Sequence, residues 1–273
     1  MIQRIIPSSG EHLPVIGLGT WQTFDVPSGE HYPELTAVLK EMHEAGGRLI
    51  DSSPMYGNAE NITGELTSEL PVKNDFFYAT KVWTTGRQQG ISQMESSMQK
   101  MQRKTIDLVQ IHNLLDWKTH LPVLRDWKER GIIRYIGITH YTDSMHEELE
   151  KVITAEKIDF VQFNYSIDDT HAEKRLLDAA ADKGVATLIN RPFGEGRLFK
   201  KVAGKALPSW AVEAGIETWS AFFLKFITSH PAVTCVIPAT SDPQHAADNF
   251  KAGNGPEIPL PLRSKMRDYI SAL

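Results

Sequence analysis

The feature that most constrains the fold of this chain is a regular alternation of short apolar segments with longer segments of helical period. Eight apolar segments have continuously hydrophobic centres, which is typical of parallel strands buried on both faces. They cover residues 15–19, 48–52, 76–82, 107–112, 136–139, 160–164, 186–190 and 234–238. Between them apolar residues recur three and four positions apart, as at Leu35, Val38, Leu39 and Met42. This spacing indicates surface helices with one face turned towards a core.

Eight β-then-α units favour a (β/α)₈ TIM barrel, whose usual length range includes the 273 residues of this chain. The structural alternative is a doubly wound open sheet, which normally carries a G-x-G-x-x-G phosphate loop after its first strand. Here the first strand ends in GLGTW (residues 17–21), without that spacing. We therefore expect one barrel domain over residues 1–273.

Segments outside the eight units predict additions to the barrel. Residues 2–5 and 13–16 flank SSGE (residues 8–11), a pattern that predicts an N-terminal β-hairpin able to close the bottom of the barrel. Residues 195–214 and the proline-containing tail at 253–262 lack a clear period, and we expect them to be irregular. Irregular segments that follow barrel strands tend to shape the mouth of the active site.

Composition excludes several classes of protein. The chain has 29 Lys and Arg residues against 34 Asp and Glu residues, a net charge of −5, which argues against binding nucleic acid through bulk charge. No apolar run reaches the roughly 20 residues of a membrane-spanning helix. The single cysteine, Cys235, excludes an intrachain disulfide and a zinc–cysteine cluster. We expect a cytoplasmic protein, or an exported mature domain if a leader has been removed.

Four chemically useful side chains stand at the predicted carboxyl ends of neighbouring strands, where barrel enzymes carry their chemistry. Asp51 ends the second strand, Tyr56 follows in the next loop, Lys81 lies near the end of the third strand, and His112 ends the fourth. A lysine ammonium lowers the pKa of a nearby tyrosine, and a carboxylate keeps the lysine charged. A histidine beside the hydroxyl can donate or relay a proton. The set suits protonation of a carbonyl oxygen as hydride reaches its carbon, or the reverse.

Other interpretations of these residues remain open. Each of the four alone is more simply a helix cap, a loop anchor, a surface charge or a core imidazole. A barrel could also carry a metal-dependent hydrolase or a lyase that forms a Schiff base at Lys81. The ten histidines include no H-x-H or H-E-x-x-H arrangement, so no metal site is expected. Asp51 beside Lys81 would keep the amine charged and unreactive.

Eight motifs together resemble the aldo-keto reductases. They are GLGTW (17–21), IDSSPMYGNAE (50–60), ATKVW (79–83), DLVQIHN (107–113), YIGIT (135–139), VQFNY (161–165), RPFGEGRL (191–198) and VIPAT (236–240). They occur in the order found in that family and cover nearly the whole chain. As a set they are highly specific.

The resemblance implies a (β/α)₈ barrel that uses a nicotinamide cofactor to reduce an aldehyde, ketone or sugar-type carbonyl, or to oxidise the alcohol. Tyr56 would be the general acid or base, Lys81 and Asp51 would tune it, and His112 would orient the substrate. Apart from the resemblance, Trp21, Trp83 and Trp117 are candidates for an apolar wall over the nicotinamide that contacts the substrate. The implied cofactor-binding residues are Gly19, Thr20, Trp21, Asp51, Gln162, Arg191, Pro192, Phe193, Gly194, Gly196, Leu198, Pro238, Ala239, Thr240, Ser241, His245 and Asn249.

Departures from the family pattern bear on the cofactor. The family commonly has Ser-Asn where this chain has Thr139 and His140, and often has an aromatic ring where it has Asn190. Asp242 stands near positions that often carry cations for the 2′-phosphate of NADP. The resemblance favours NADP(H), with NAD(H) as the rival. The alternative function is a cofactor-binding regulatory barrel with negligible turnover. The expected partner is a small carbonyl or alcohol, with no nucleic acid and no membrane, and the oligomeric state stays open.

Overall fold

Strands and helices alternate along the chain in the order that the sequence predicts. A computed structural model describes residues 1–273. The strands are β1 (Gln3–Ile5), β2 (His12–Pro14), β3 (Leu18–Gly19), β4 (Leu49–Asp51), β5 (Phe77–Val82), β6 (Ile106–His112), β7 (Ile133–Thr139), β8 (Phe160–Asn164), β9 (Ala186–Asn190) and β10 (Cys235–Val236). The α-helices are α1 (Tyr32–Glu44), α2 (Ala59–Glu69), α3 (Arg87–Lys100), α4 (Trp117–Glu129), α5 (His146–Ala155), α6 (Leu176–Asp182), α7 (Arg197–Lys201), α8 (Ser209–Glu213), α9 (Trp219–Thr228), α10 (Pro243–Lys251) and α11 (Leu260–Ser271). Two 3₁₀ segments cover Asp143–Met145 and His171–Lys174.

Strands β3 to β10 form one parallel sheet in which each strand pairs with its neighbours in the chain. The first and last strands also meet, through parallel bridges that join Ile16 to Val236 and Gly19 to Ala239. The sheet therefore closes, and the predicted (β/α)₈ barrel is confirmed. Because all eight strands run the same way, their carboxyl ends share one rim.

The helices pack as their periodicity predicts. The four apolar residues singled out in the first helical segment, Leu35, Val38, Leu39 and Met42, are all buried in α1. Helices α1, α4 and α6 are followed by Gly46, Gly131 and Gly184, whose φ angles are +91°, +72° and +64°. Glycine adopts this left-handed conformation without a steric penalty, which is why these helices end there. No helix combines the length and apolarity required to cross a membrane.

The predicted N-terminal hairpin is present. Strands β1 and β2 pair antiparallel, with Arg4 opposite Leu13. Ile6 and Leu13 are buried in a cluster that includes Leu49, Phe77 and other apolar residues of the barrel strands. Leu49 and Phe77 are the first residues of β4 and β5, so the hairpin closes the barrel at the amino ends of its strands.

The expectation that residues 195–214 are irregular is wrong in part. Helices α7 and α8 lie in this segment, and each has five residues. A helix of five residues completes little more than one turn, so it cannot display the repeating apolar period by which helices are predicted. In the proline-containing tail, the predicted irregular segment gives way to α11 at Leu260.

Candidate active site

The barrel rim brings the four predicted catalytic side chains together. Asp51 is the last residue of β4, Lys81 is the penultimate residue of β5, and His112 is the last residue of β6. Tyr56 lies in the loop between β4 and α2. The Lys81 Nζ lies 4.8 Å from the centre of the Tyr56 ring, and the centres of the Tyr56 and His112 rings are 5.8 Å apart.

Lys81 and Asp51 form a buried ion pair. The Lys81 Nζ donates to Asp51 Oδ2 at 2.6 Å and to the Ser52 carbonyl oxygen at 2.8 Å. The other carboxylate oxygen, Asp51 Oδ1, accepts from Gln110 Nε2 at 2.8 Å and from Gln162 Nε2 at 3.0 Å. Buried charges are tolerated only when they are paired and hydrogen-bonded. Both oxygens of this carboxylate are satisfied, which fixes the position of the lysine.

Gln110 is a member of this network that the sequence reasoning missed. It lies two positions before His112 on β6, and residues two apart on a strand point to the same face. The two-residue spacing from His112 therefore indicates that Gln110 points towards the same side of the barrel. Gly137, on the neighbouring strand β7, leaves room for it, because a Cβ at Gly137 would lie 2.7 Å from the Gln110 Cγ.

Two opposing effects set the pKa of Tyr56. Burial raises the pKa of Tyr56, and this effect outweighs the opposing influence of the Lys81 ammonium. Lys81 lowers the pKa of Tyr56, as the sequence predicts, but the net result is a raised pKa because burial is the larger effect. For Lys81, burial lowers the pKa, but the Asp51 carboxylate, assisted by Tyr56, outweighs this effect and raises the pKa. Lys81 is thus a cation, and Tyr56 carries its proton at neutral pH.

His112 is neutral and is held by a serine. Burial, together with the charge of Lys81, lowers the pKa of His112 to about 3. Ser53 Oγ lies 3.0 Å from His112 Nδ1 and accepts from the Met55 backbone N–H at 3.2 Å. Ser53 was not predicted as a site residue, although it lies two positions after the end of β4. A serine in a loop carries no periodic signal that would reveal this contact.

A cavity of about 480 Å³ opens above the rim. The predicted site residues that line it are Gly19, Thr20, Trp21, Asp51, Tyr56, His112, Gln162, Arg191, Pro192, Phe193, Gly196 and Ala239. Residues that were not predicted to bind a ligand also line it, among them Met55, Asn113, Tyr141, Glu195 and Phe199. Most of the predicted cofactor residues are therefore gathered around one opening.

The other predicted site residues do not line this cavity. They are Lys81, Trp83, Gly194, Leu198, Pro238, Thr240, Ser241, His245 and Asn249. Lys81 and Leu198 are fully buried. Trp83 is exposed, and the centre of its ring system is 6.4 Å from the centre of the His112 ring. His245 and Asn249 belong to α10.

The segment that resembles an adenosine site begins helix α10 with Asp242. Asp242 Oδ1 accepts from the backbone N–H groups of Gln244 at 2.7 Å and His245 at 3.2 Å. The hydrogen bonds from these two N–H groups lower the pKa of Asp242. An ionised carboxylate therefore caps this helix, where a free N-terminus would otherwise favour a phosphate.

Thr139, His140 and Asn190 are the residues that depart from the family pattern. They form one local network beside Gln162. Thr139 Oγ1 donates to Gln162 Oε1 at 3.2 Å, and Asn190 Nδ2 donates to the His140 carbonyl oxygen at 3.3 Å. Asn190 Oδ1 is buried without a hydrogen-bond partner. Buried polar atoms are nearly always paired, so this oxygen is free to accept a hydrogen bond from a ligand in the cavity.

The fold and the rim together define an α/β barrel in which Asp51, Tyr56 and His112 line one cavity and Lys81 is buried beside Asp51. The model of the Aldo/keto reductase family matches residues 15–259. The chain belongs to the aldo/keto reductase family.

Among similar sequences, an aldo-keto reductase of Mycolicibacterium smegmatis (strain ATCC 700084 / mc(2)155) is 26% identical over 272 residues, which cover 92% of this chain and 87% of the relative. Dihydrodiol dehydrogenase 3 of Bos taurus is 28% identical over 226 residues, 72% of this chain and 68% of the relative. The M. smegmatis relative therefore matches this chain over nearly its full length.

Solved structures of low sequence identity share the fold. An aldo-keto reductase from Klebsiella pneumoniae in complex with NADPH superposes with a TM-score of 0.83 at 20% identity, over 99% of this chain and 96% of that chain. The Bombyx mori aldo-keto reductase AKR2E4 in complex with NADP gives a TM-score of 0.77 at 19% identity, over 98% and 94%. At these identities the likeness supports the barrel fold.

Proposed function

We propose that the protein is an NADP(H)-dependent oxidoreductase that reduces a small aldehyde, ketone or sugar-type carbonyl to the alcohol, or runs the reverse reaction. One observation carries the proposal: the buried Lys81–Asp51 pair lies against the Tyr56 ring, and the His112 ring meets that ring edge-on with the centres 5.8 Å apart. A surface tyrosine needs no such support. A tyrosine that transfers a proton does, because its anion must be stabilised when the proton leaves.

The residues around the cavity fit a nicotinamide cofactor. Asn190 Oδ1 offers a buried acceptor without a partner, and Gln162 lies beside it, which suits a carboxamide group. Gly19 lines the cavity, and a Cβ there would lie 3.0 Å from the Ile237 carbonyl oxygen, so this close approach of neighbouring strand ends suits glycine. Thr20, Trp21 and Arg191 would complete the binding surface. A reduced nicotinamide cofactor bound there supplies the hydride for the reaction.

Tyr56 is the proton donor in the direction of reduction. Its raised pKa keeps the hydroxyl protonated at neutral pH, so it donates a proton to the carbonyl oxygen as the carbonyl carbon is reduced. Lys81 stabilises the phenolate that remains, and Asp51 keeps Lys81 charged and in place. The neutral His112 donates an imidazole N–H to the same carbonyl oxygen, which orients the substrate. In the direction of oxidation the Tyr56 phenolate accepts the proton.

Side chains around the opening support a substrate with an apolar portion. Trp21, Met55, Tyr141 and Phe199 line the cavity, and Trp83 stands beside His112. Ligand sites of this kind are mostly apolar with a few polar groups that fix orientation. A small carbonyl compound with an apolar portion fits this surface. We infer further that residues 1–273 act as one domain, since the rim of a single closed barrel supplies every residue of the proposed site.

The preference for NADP(H) over NAD(H) is drawn from the NADP-containing relatives. The K. pneumoniae and B. mori structures contain NADPH or NADP. Asp242 opposes this preference, because its carboxylate would repel a 2′-phosphate at the start of α10. NADP(H) binding here would depend on cations outside that helix, and Lys200 and Lys201 on α7 are candidates.

The substitution Tyr56→Phe tests the proposal. It removes the hydroxyl and keeps the ring, so we expect loss of NADPH oxidation with a panel of carbonyl compounds while NADPH binding, measured by fluorescence, stays within about twofold. The control is Tyr32→Phe, because the Tyr32 hydroxyl contacts Glu65 on α2 and Tyr32 does not line the cavity. Substantial turnover in the Tyr56 variant would show that another group is the acid. A wild-type protein that binds NADPH tightly but turns over none of the panel would instead favour a regulatory barrel.

A further inference from the structure

We propose that Asp143, His146 and His171 form a binding site for a divalent transition-metal ion with the preferences of Zn²⁺. One ligand atom of each residue lies within 4.8 Å of those of the other two. Asp143 belongs to the 3₁₀ segment after β7, His146 begins α5, and His171 lies in the 3₁₀ segment after β8. Two imidazoles and one carboxylate are a ligand set that zinc sites use. The proposal is independent of the proposed catalytic function.

A neighbouring asparagine determines which nitrogen of His146 is available to an ion. Asn164 Nδ2 donates to Asp143 Oδ1 at 2.6 Å and to Asp169 Oδ2 at 2.8 Å. This orientation turns Asn164 Oδ1 towards His146 Nε2, 3.0 Å away. An amide oxygen only accepts hydrogen bonds, so Nε2 of His146 must carry the hydrogen. His146 Nδ1 is then a lone-pair nitrogen in the neutral ring.

This arrangement resembles the outer contacts of known metal sites. A histidine ligand usually donates its second ring N–H to a carboxylate or carbonyl oxygen, which fixes the ring and its tautomer. Asn164 Oδ1 performs this task for His146, and the same Asn164 side chain holds one oxygen of Asp143. Asp143 Oδ2 is left free for an ion. His146 is buried, so its ring is already oriented before any ion binds.

The distances between the two imidazoles suit a shared ion. His146 Nδ1 and His171 Nδ1 face each other at 3.0 Å. Two nitrogens on a tetrahedral zinc ion, each at about 2.0–2.1 Å, are about 3.3 Å apart. The two nitrogens must therefore separate by a few tenths of an ångström, and the Asp143 carboxylate, whose ligand atom lies within 4.8 Å of them, must approach. The hydrogen that His171 Nδ1 shares with His146 Nδ1 moves to His171 Nε2 when the ion binds, so both rings stay neutral. The three residues leave a fourth position for water.

The ion would connect two loops of the barrel rim. The loop after β7 also contains Tyr141, which lines the cavity, and His140, whose carbonyl oxygen accepts from Asn190. Asp143 and His146 anchor the far end of that loop, and His171 belongs to the segment after β8. Binding at this site would stabilise the folded state by mass action, because an unfolded chain does not hold the three ligands together.

Metal titration of the untagged protein tests the site. We expect wild-type protein to bind one equivalent of Co²⁺ with the visible absorption of a four-coordinate ion, and Zn²⁺ to displace it. The variants are His171→Gln and Asp143→Asn, both at positions that are not fully buried. Each should weaken Zn²⁺ binding by at least about tenfold and remove the rise in melting temperature that Zn²⁺ causes in the wild type. Circular dichroism in EDTA checks that both variants are folded.

A matched control separates this site from ordinary surface binding. His43 Nε2 lies 2.9 Å from Asp75 Oδ2, which makes a His–carboxylate pair without a second imidazole. The variant His43→Gln should bind Co²⁺ and Zn²⁺ as the wild type does. The proposal is overturned if wild-type protein binds no Co²⁺ in this geometry, or if His171→Gln and Asp143→Asn bind Zn²⁺ as tightly as the wild type.

Discussion

Ser53 Oγ lies 3.0 Å from Nδ1 of His112 and also accepts the backbone N–H of Met55. The serine hydroxyl can therefore donate its hydrogen to Nδ1. The hydrogen of the neutral imidazole then resides on Nε2, the nitrogen available to a substrate in the proposed role. Ser53 is thus a positioning residue that acts through His112.

We expect Ser53→Ala to lower kcat about two- to tenfold, the factor that corresponds to the loss of one hydrogen bond. The effect should appear in kcat more than in cofactor affinity, because the serine orients the histidine and does not contact the cofactor in the proposed site. Ser53→Thr keeps a hydroxyl and should restore most of the activity. Steady-state kinetics of both variants and of Ser68→Ala, a surface control on α2, measure this. Equal kcat values in Ser53→Ala and the wild type would contradict the assignment.

The effects of substituting Lys81 and Asp51 on the free energy of unfolding should be strongly coupled. Lys81→Met leaves a buried carboxylate without its cation, and Asp51→Asn leaves a buried ammonium without its anion, so we expect each to cost about 3–5 kcal/mol in the free energy of unfolding. The double variant should cost less than the sum, because neither charge is then left alone. Urea unfolding of the four proteins measures the coupling.

An exposed ion pair provides the control for this cycle. Lys251 Nζ lies 2.5 Å from Glu217 Oε2 at the surface. We expect Lys251→Met to cost less than about 1 kcal/mol, since solvent screens such pairs. Additive effects of the Lys81 and Asp51 substitutions would mean that the buried pair contributes no more than two independent contacts.

The low pKa of His112 predicts a pH-dependent stability. Its pKa is about 3 in the folded protein against an ordinary value of 6.5, so as pH falls the unfolded state binds the proton first. The contribution of His112 to stability is therefore complete above pH 6.5 and is lost between pH 6.5 and about 3, by at most about 1.4 kcal/mol per pH unit. Urea unfolding between pH 7 and 5 should show a shallower dependence for His112→Gln than for wild type. An unchanged slope in His112→Gln would refute the prediction.

Asp242 should discriminate against NADPH relative to NADH. Asp242→Asn removes the negative charge and keeps an oxygen that can cap α10. We expect the substitution to tighten NADPH binding about two- to tenfold, the range of a surface charge effect near 1 kcal/mol, and to leave NADH binding unchanged. Fluorescence titration with both cofactors measures the ratio. If both affinities change equally, the carboxylate does not face the 2′-phosphate.

The sequence by itself determined the barrel and the residues at its rim. Continuously apolar segments of strand length and helical periods between them are local patterns, and each of the eight predicted strands overlaps an observed strand. Because parallel barrel strands all end at one rim, strand-end residues such as Asp51, Lys81 and His112 could be brought together before any distance was known. The hairpin that closes the bottom of the barrel was also predictable from local sequence, because its turn and its two strands are adjacent in the chain.

Only the tertiary structure decided the properties that depend on burial and on contacts between distant residues. The pKa of Tyr56 is raised because the surrounding fold buries its hydroxyl, and no local pattern reports how much solvent is excluded. Gln110 and Ser53 enter the site through side-chain contacts with Asp51 and His112, 59 residues away from each in sequence. The short helices α7 and α8 lack a repeating period and are held by packing. The chain's local periodicity therefore specifies where chemistry can occur, while long-range packing sets which groups are charged, oriented and exposed there.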